Sequence, residues 1–176
     1  MKPFSDNIIF WDAEFSGFDF CNGQILSIGM VKLNGEELYF ELEQEKEICD
    51  WVKENVVPFL KQEKISKGEA IKRITEFVGD NKPYLISNVI VLDAPFLNNL
   101  FGINNEKGNK LFPFHWILLD FASMLFALGI DPERLTSKFK DKFVRDLGIN
   151  IDRYKKHHAL DDAKLLRDVY LKLLDK

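Results

Sequence analysis

Asp12 and Glu14 stand two residues apart, directly after the apolar run Ile8–Trp11. Side chains two residues apart on an extended chain point to the same face, so the two carboxylates would lie side by side. Carboxylates next to a buried strand are costly unless a cation compensates for their charge, and Mg²⁺ or Mn²⁺ would suit these oxygen ligands. The alternative is that Glu14 lies just beyond the strand, in water.

Asp93 is a second acidic position, with two possible roles. It follows the apolar stretch 84–91 and precedes Ala94-Pro95, where a helix would begin. An aspartate with a proline just inside the helix is typical of a helix N-cap. Because a cap uses only one carboxylate oxygen, Asp93 could cap the helix and bind a metal ion at the same time.

The segment 155–163, KKHHALDDA, places two histidines and two aspartates at the start of an amphipathic helix. A histidine near an aspartate at such a position can be a purely structural cap pair. Helical periodicity puts Asp161 and Asp162 on different faces, one beside the sheet edge and the other towards water. The spacing does not show which aspartate, or which of His157 and His158, would take part in chemistry.

Together, these segments supply four carboxylates and a histidine, each at a strand end or a helix start. Such a set fits a two-metal site for phosphoryl transfer, in which two cations about 4 Å apart hold the attacking and leaving oxygens of an in-line displacement. A neutral histidine beside them would take the proton from the attacking water.

The elements that would position these residues follow from hydrophobic periodicity and turn signals. Apolar and β-branched runs predict strands over residues 7–12, 24–33, 36–42, 84–91 and 115–119, and Asn34-Gly35 is a hairpin turn signal. Helical spacing predicts helices over residues 48–60 with a break at Pro58, 66–78 with a Ser66–Glu69 capping box, 94–101, 120–128 with Asp120 as the N-cap, one or two within 131–147, and 159–174. This order predicts an α/β fold with a mixed central sheet flanked by helices.

Composition indicates a globular chain that folds as one domain over residues 1–176. Of the 176 residues, 46% are hydrophobic and 30% are charged, and no apolar run is long enough to cross a membrane. Cys21 and Cys49 stand alone, which argues against a zinc ribbon. With no signal-type apolar stretch near the N-terminus, we expect a cytoplasmic protein.

The net charge of −4 conceals a segregation of charge along the chain. Residues 36–50 are acidic, whereas residues 134–156 are rich in lysine and arginine. A basic segment in an acidic protein would steer a polyanion such as a nucleic acid. On charge alone, the more ordinary explanation is a solvated helix face.

The chain resembles the DEDDh 3′–5′ exonucleases, a branch of the ribonuclease H-like fold that includes oligoribonuclease, ribonuclease T and proofreading subunits of DNA polymerases. Three motifs carry the resemblance, in the family's order and over almost the whole chain: DAEFSG at 12–17, NVIVLDAPFL at 88–97 and HHALDDA at 157–163. The first departs from the usual D-x-E-[TS]-G, because Phe15 stands between the acidic pair and Ser-Gly. The stretch 51–58, WVKENVVP, also resembles a small bacterial exoribonuclease-type branch.

The resemblance implies a role for each of these residues. It makes Asp12, Glu14, Asp93 and Asp162 the ligands of two Mg²⁺ or Mn²⁺ ions, and His157 the base that activates the attacking water. The implied reaction releases nucleoside 5′-monophosphates from the 3′ end of a single strand. Residues near Gly17 hold the terminal nucleotide in this family, and the implied substrate-binding residues are Phe15, Ser16, Gly17, Phe18, Ser87 and Asn88. An aromatic ring at position 18 would stack on a base, unless it belongs to the core.

Three functions are compatible with these observations. The first is a 3′–5′ exonuclease on single-stranded nucleic acid, with RNA or short oligonucleotides favoured over DNA. The second is a proofreading-type exonuclease on DNA, which shares the same motifs. The third is a non-catalytic domain of the same fold that binds nucleic acid or a protein partner, and the intact acidic set argues against it. Members of the family are often homodimers, so the resemblance also leaves a homodimer open.

Overall fold

A mixed sheet of six strands runs through the part of the chain that our computed structural model describes, residues 2–103, 110–136 and 140–175. The strands are Ile8–Phe15 (β1), Ile25–Lys32 (β2), Glu37–Leu42 (β3), Lys64–Ile65 (β4), Tyr84–Ser87 (β5) and Leu119–Asp120 (β6). Their spatial order is β4-β3-β2-β1-β5-β6. β2 pairs antiparallel with β1 and β3, whereas β4, β5 and β6 join their neighbours in parallel.

Helices flank this sheet. The described residues form α-helices at Asp50–Asn55 (α1), Lys67–Val78 (α2), Ile90–Phe101 (α3), Phe121–Ala127 (α4), Lys140–Asp146 (α5) and Ala159–Leu174 (α6), with 3₁₀ turns at Val57–Phe59, Pro132–Leu135 and Ile151–Arg153. The predicted architecture, an α/β fold with a mixed central sheet flanked by helices, is confirmed. Within the described ranges, no helix is both long enough and apolar enough to span a membrane.

β1 is buried on both faces of the sheet, which explains its continuous apolar run. Phe10 packs in a core that includes α6, and Trp11 packs in a second core that includes α2 and α3. Both side chains are 0% exposed. Because side chains alternate along a strand, Asp12 and Glu14 continue the row of Phe10 on the face that α6 covers.

The predicted strand over residues 84–91 is wrong in its second half. β5 ends at Ser87, and α3 begins at Ile90 rather than at the predicted Ala94. The β-branched run from Val89 to Val91 favours a strand locally, but a tertiary contact overrides it. The Ile90 N–H donates a 3.0 Å hydrogen bond to the Asp120 carboxylate, which satisfies one of the free amides at the helix start.

Most other predicted elements match in type and differ mainly in length. The predicted helix 48–60 is α1 followed by the 3₁₀ turn that contains Pro58. The predicted strand 115–119 is wrong over 115–118, because only its last residue, Leu119, belongs to the short strand β6. The Ser66 hydroxyl accepts a 3.3 Å hydrogen bond from the Glu69 N–H, which is one half of the predicted capping box, whereas the Glu69 carboxylate accepts a hydrogen bond from Arg73. The prediction for 131–147 corresponds to a 3₁₀ turn and α5, with residues 137–139 lying outside the described ranges.

Candidate active site

Three carboxylates meet where β1 passes under the first turn of α6. Oxygen atoms of Asp12, Glu14 and Asp162 all lie within 4.8 Å of one another. Among the residues that the structure describes, this is the one group of three or more His, Cys, Asp or Glu side chains close enough to hold a metal ion. All three side chains are half-buried, so the group is shielded from bulk water but still accessible.

Gly29 allows α6 to approach the sheet closely enough to form this group. It lies opposite Asp12 in the antiparallel pairing of β1 with β2. A Cβ atom at position 29 would stand 2.2 Å from the Leu160 backbone nitrogen and 2.3 Å from the Ala159 carbonyl carbon. The start of α6 therefore rests directly on the strand, which brings Asp162 beside Asp12.

The electrostatics of this group favour a bound cation. Burial raises the pKa of Asp12 well above its ordinary value, and the negative charges of Asp162, Glu14 and Asp93 raise it further. Burial, followed by repulsion from Asp162, raises the pKa of Glu14 to about 8. Hard oxygen donors that repel one another in a shielded site suit Mg²⁺ or Mn²⁺, so the residues present fit the ions expected from the sequence.

Lys140, at the start of α5, was missed by sequence reasoning. Its ammonium forms an ion pair with the Asp162 carboxylate. The signal that could have found it is the basic segment 134–156, within which the structure separates two groups. Lys142 and Arg145 pair with acidic residues on exposed surface, as expected of a solvated helix face, whereas Lys140 and Lys156 line the cleft described below.

Asp93 lies near the group but not within it. The N-cap role considered from the sequence is wrong, because α3 begins at Ile90 and Asp93 lies in its first turn. The Ser87 hydroxyl donates a hydrogen bond to the buried Asp93 carboxylate. Burial raises the pKa of Asp93 to about 6, and that hydrogen bond opposes the shift. The structure thus brings three of the four predicted ligands together and places the fourth on the wall of the same cleft.

Asp120 ties the start of α3 to the start of α4. As predicted, it caps α4, because its carboxylate accepts a 2.7 Å hydrogen bond from the Ser123 N–H. Its other oxygen accepts the hydrogen bond from Ile90 at the start of α3. This second hydrogen bond fixes the helical turn that carries Asp93. Because Ile90 and Asp120 are 30 positions apart, no local sequence pattern predicts their contact.

The two histidines of the third motif have different surroundings. His157 is exposed, lines the cleft and has a left-handed backbone with φ of 54°. Its ring contacts Trp51 edge to face, with the ring centroids 5.3 Å apart. His158 is half-buried and stacks on Tyr39 at 4.5 Å. It occupies the N-cap position of α6 without a capping hydrogen bond, and its Nδ1 lies 3.6 Å from Asp161.

A cleft of about 470 Å³ contains the carboxylates and His157. Phe18 lines this cleft and is 74% exposed, so the alternative that it belongs to the core is wrong. Phe15 lines the cleft too, but its ring stacks on Phe96 with centroids 4.1 Å apart and is therefore held by the core. Asn88 completes the set of predicted substrate-binding residues that reach the cleft.

The remaining predicted substrate-binding residues lie behind the cleft. The buried Ser16 hydroxyl accepts a 3.0 Å hydrogen bond from the Gln24 N–H, which braces the loop between β1 and β2. Gly17, with φ of 154°, lines an adjoining hollow, where a Cβ atom would lie 3.5 Å from the Cys49 side chain. Ser87 is fully buried beneath Asp93. Their positions suit the support of cleft residues better than direct contact with a ligand.

Comparison with solved structures finds exonuclease I as a structural neighbour. One exonuclease I structure has a TM-score of 0.72 at 14% identity and covers 96% of this chain and 41% of its own. The zinc-bound form of an E. coli exonuclease I complex with single-stranded DNA has a TM-score of 0.70 at 18% identity, covering 96% and 40%. Exonuclease I from Methylocaldum szegediense has a TM-score of 0.69 at 15% identity, covering 96% and 40%.

These neighbours establish the fold of the chain. The chain spans about two fifths of the length of the neighbouring structures. No protein-family model matches the sequence, and no curated protein matches it at a significant level. A shared fold alone does not fix an activity, so the chemistry depends on the residues of the site itself.

Proposed function

We propose that this chain is a metal-dependent exonuclease that removes nucleotides from the 3′ end of single-stranded nucleic acid. The observation that carries the proposal is the meeting of Asp12, Glu14 and Asp162 within 4.8 Å in an open cleft. The resemblance to the DEDDh exonucleases assigns metal binding to these same positions. The fold of exonuclease I, solved in two cases with a DNA oligonucleotide or single-stranded DNA, adds support.

Asp12, Glu14 and Asp162 would hold the divalent ions, with Asp93 completing the ligand set from the cleft wall. Two bound Mg²⁺ or Mn²⁺ ions would lower the pKa of the attacking water and stabilise the charge that develops on the phosphodiester. The carboxylates of the chain orient this reaction, because β1 and α6 fix their positions relative to one another. Ser87 holds Asp93 directly, by donating a hydrogen bond to its carboxylate. Asp120 holds it indirectly, by accepting a hydrogen bond from the start of its helix.

His157 would accept the proton of the attacking water at an imidazole nitrogen. A neutral imidazole suits this role near neutral pH. The ring is exposed in the cleft, where Trp51 limits its movement by edge-to-face contact. His158 stacks on Tyr39 and so supports the same turn. His157 would therefore take part in the chemistry, and His158 in packing.

The cleft surface suits a single strand. Phe18 exposes a ring on which a base can stack, and Lys155 and Lys156 line the cleft where a phosphate backbone would approach. We favour RNA because residues 51–58 resemble the exoribonuclease-type branch. Two of the neighbouring exonuclease I structures were solved with DNA, so the two substrates must be compared directly.

A nuclease assay tests this proposal. With a 5′-labelled single-stranded RNA and a DNA of matched sequence, we expect stepwise shortening from the 3′ end in Mn²⁺ and none in EDTA. The Asp162→Asn variant should reduce the rate by about 10³-fold or more, because it removes a ligand charge while keeping the shape of the side chain.

Asp146→Asn is the matched control for this assay. Asp146 is an exposed residue paired with Lys142 away from the site, and its substitution should leave the rate near that of the wild type. Cleavage that is equal in EDTA and Mn²⁺, or an Asp162→Asn variant with an almost normal rate, would contradict the proposal. Faster shortening of the DNA strand would overturn only the preference for RNA.

A further inference from the structure

Lys140 is the cation that faces the carboxylate group. Its ammonium pairs with Asp162, with side-chain exposures of 27% and 19% for the two partners. Within the described ranges, no other lysine, arginine or histidine lies within 4.0 Å of the carboxylates of Asp12, Glu14, Asp93 or Asp162. The site therefore places one fixed cation among several carboxyl groups.

The fold holds Lys140 in this position. Its backbone N–H donates a 2.9 Å hydrogen bond to the Thr136 carbonyl, and α5 is anchored by the buried side chains of Phe143 and Val144. Burial and the neighbouring acids raise the pKa values of Asp12 and Glu14, and the positive charge of Lys140 offsets part of this rise. An exposed lysine on a mobile stem would not be anchored in this way.

Space for a competing cation lies beside the ion pair. A cavity of about 60 Å³ is lined by Asp12, Asn88, Lys140, Asp162 and three leucines. A cavity of this size accommodates an ion or a water molecule. The Lys140 ammonium and a divalent ion in this space would compete for the same Asp162 carboxylate.

We propose that Lys140 is a built-in counter-ion of the metal-free site, which the entering metal ion displaces from Asp162. This inference rests on the proposed function, because it assumes that the carboxylates bind divalent ions. Lys140 stabilises the folded chain when no metal is present. It also makes metal binding weaker than the carboxylates alone would allow, since each ion that enters must first separate the pair.

Calorimetric titration with Mn²⁺, without any substrate, tests this inference. The Lys140→Met variant keeps the length of the side chain and removes its charge, and it should bind Mn²⁺ about tenfold more tightly than the wild type. In EDTA, its melting temperature should fall below that of the wild type, because the carboxylates then repel one another without compensation. With saturating Mn²⁺, this difference should shrink.

Two control variants separate charge from position. Lys140→Arg keeps the charge and should bind Mn²⁺ nearly as the wild type does. Lys142→Met makes the same substitution two residues along α5, at a side chain that is 82% exposed and paired with Asp146, and it should change neither measurement. Lys140→Met that binds Mn²⁺ with unchanged or weaker affinity would overturn the inference.

Two further results test the inference if Lys140→Met does not fold or if Mn²⁺ does not bind. If Lys140→Met does not fold, the ¹⁵N signal of the Lys140 ammonium in the wild type should shift when Mg²⁺ is added, and an unmoved signal would overturn the inference. If neither the wild type nor Lys140→Met binds Mn²⁺, the proposed metal site fails. If the wild type binds Mn²⁺ and Lys140→Met binds it with the same affinity, the metal site stands and only the counter-ion role is contradicted.

Discussion

At the scale of residues, the acids of this chain differ in what offsets their charge. Glu69 is partly exposed, and its hydrogen bond with Arg73 lowers the pKa of its carboxyl. Asp12 and Glu14 are shielded together, and burial raises their pKa values. Only the shielded acids store unfavourable electrostatic free energy that a bound cation would relieve. This difference singles out the carboxylates near α6 from the many others in an acidic chain.

The raised pKa of Glu14 predicts how stability depends on pH. Between the ordinary glutamate pKa of 4.5 and about 8, the folded state keeps a proton that the unfolded chain has released. Rising pH therefore favours unfolding of the metal-free protein across this window. We expect the melting temperature in EDTA to fall by about 4 °C between about pH 5.5 and about pH 8.5, measured by circular dichroism. Saturating Mn²⁺ should largely remove the fall.

Two variants assign this pH dependence to the site. Glu14→Gln carries no titrating group and should show a smaller fall in melting temperature over the same range. Glu69→Gln, at a partly exposed carboxyl with a lowered pKa, should leave the fall as it is in the wild type. A metal-free protein that becomes more stable as pH rises through this window would contradict the assignment.

At the scale of elements, the site depends on how closely α6 crosses the sheet. Amphipathic periodicity predicted the bounds of α6 well, because that signal is local and repeats over sixteen residues. The crossing depends on Gly29, which in the sequence is an ordinary glycine within a strand. Its importance comes from a contact with residues 159 and 160, more than a hundred positions later.

Other features could not be predicted from the sequence, because they too depend on contacts between distant residues. The strand predicted over 84–91 became a strand and a helix because Asp120 caps the backbone of Ile90. The Lys140–Asp162 pair likewise joins two different helices. Acidic ligand candidates could be named from motifs and local spacing, whereas their partners and the closeness of the three carboxylates follow from tertiary packing.

Gly29→Ala is predicted to disrupt the site through the backbone. The added methyl group would overlap the start of α6, which must then move away from β2. We expect the free energy of unfolding to fall by about 3 kcal/mol or more, and Mn²⁺ binding to weaken together with it. Urea unfolding and calorimetric titration measure the two effects.

Gly68→Ala is the matched control for this substitution. A Cβ atom at Gly68, in α2, meets no atom closer than the Ser66 hydroxyl at 4.0 Å. The change should stabilise the protein by up to about 1 kcal/mol, since alanine favours helices, and leave Mn²⁺ binding unchanged. If Gly29→Ala behaves like Gly68→Ala, the close crossing of α6 does not control the site.

At the scale of the whole molecule, the sheet gathers segments from the two ends and the middle of the chain. β1 lies between β2 and β5, so α6 resting on β2 and α3 following β5 both deliver acids to the end of β1. Exonuclease I shares this fold over two fifths of its length, which accounts for the architecture but not for the chemistry. The single-domain organisation and the possible homodimer stay predictions.

Anomalous diffraction from crystals grown with Mn²⁺ is the most direct test of whether folding gathers the carboxylates of Asp12, Glu14 and Asp162 into a site for divalent cations. We predict manganese peaks about 2.2 Å from oxygen atoms of Asp12 and Asp162, with the Lys140 ammonium withdrawn from Asp162. The contradictory result would come from crystals saturated with Mn²⁺. They would show no manganese peak near these oxygen atoms and an intact ion pair between Lys140 and Asp162.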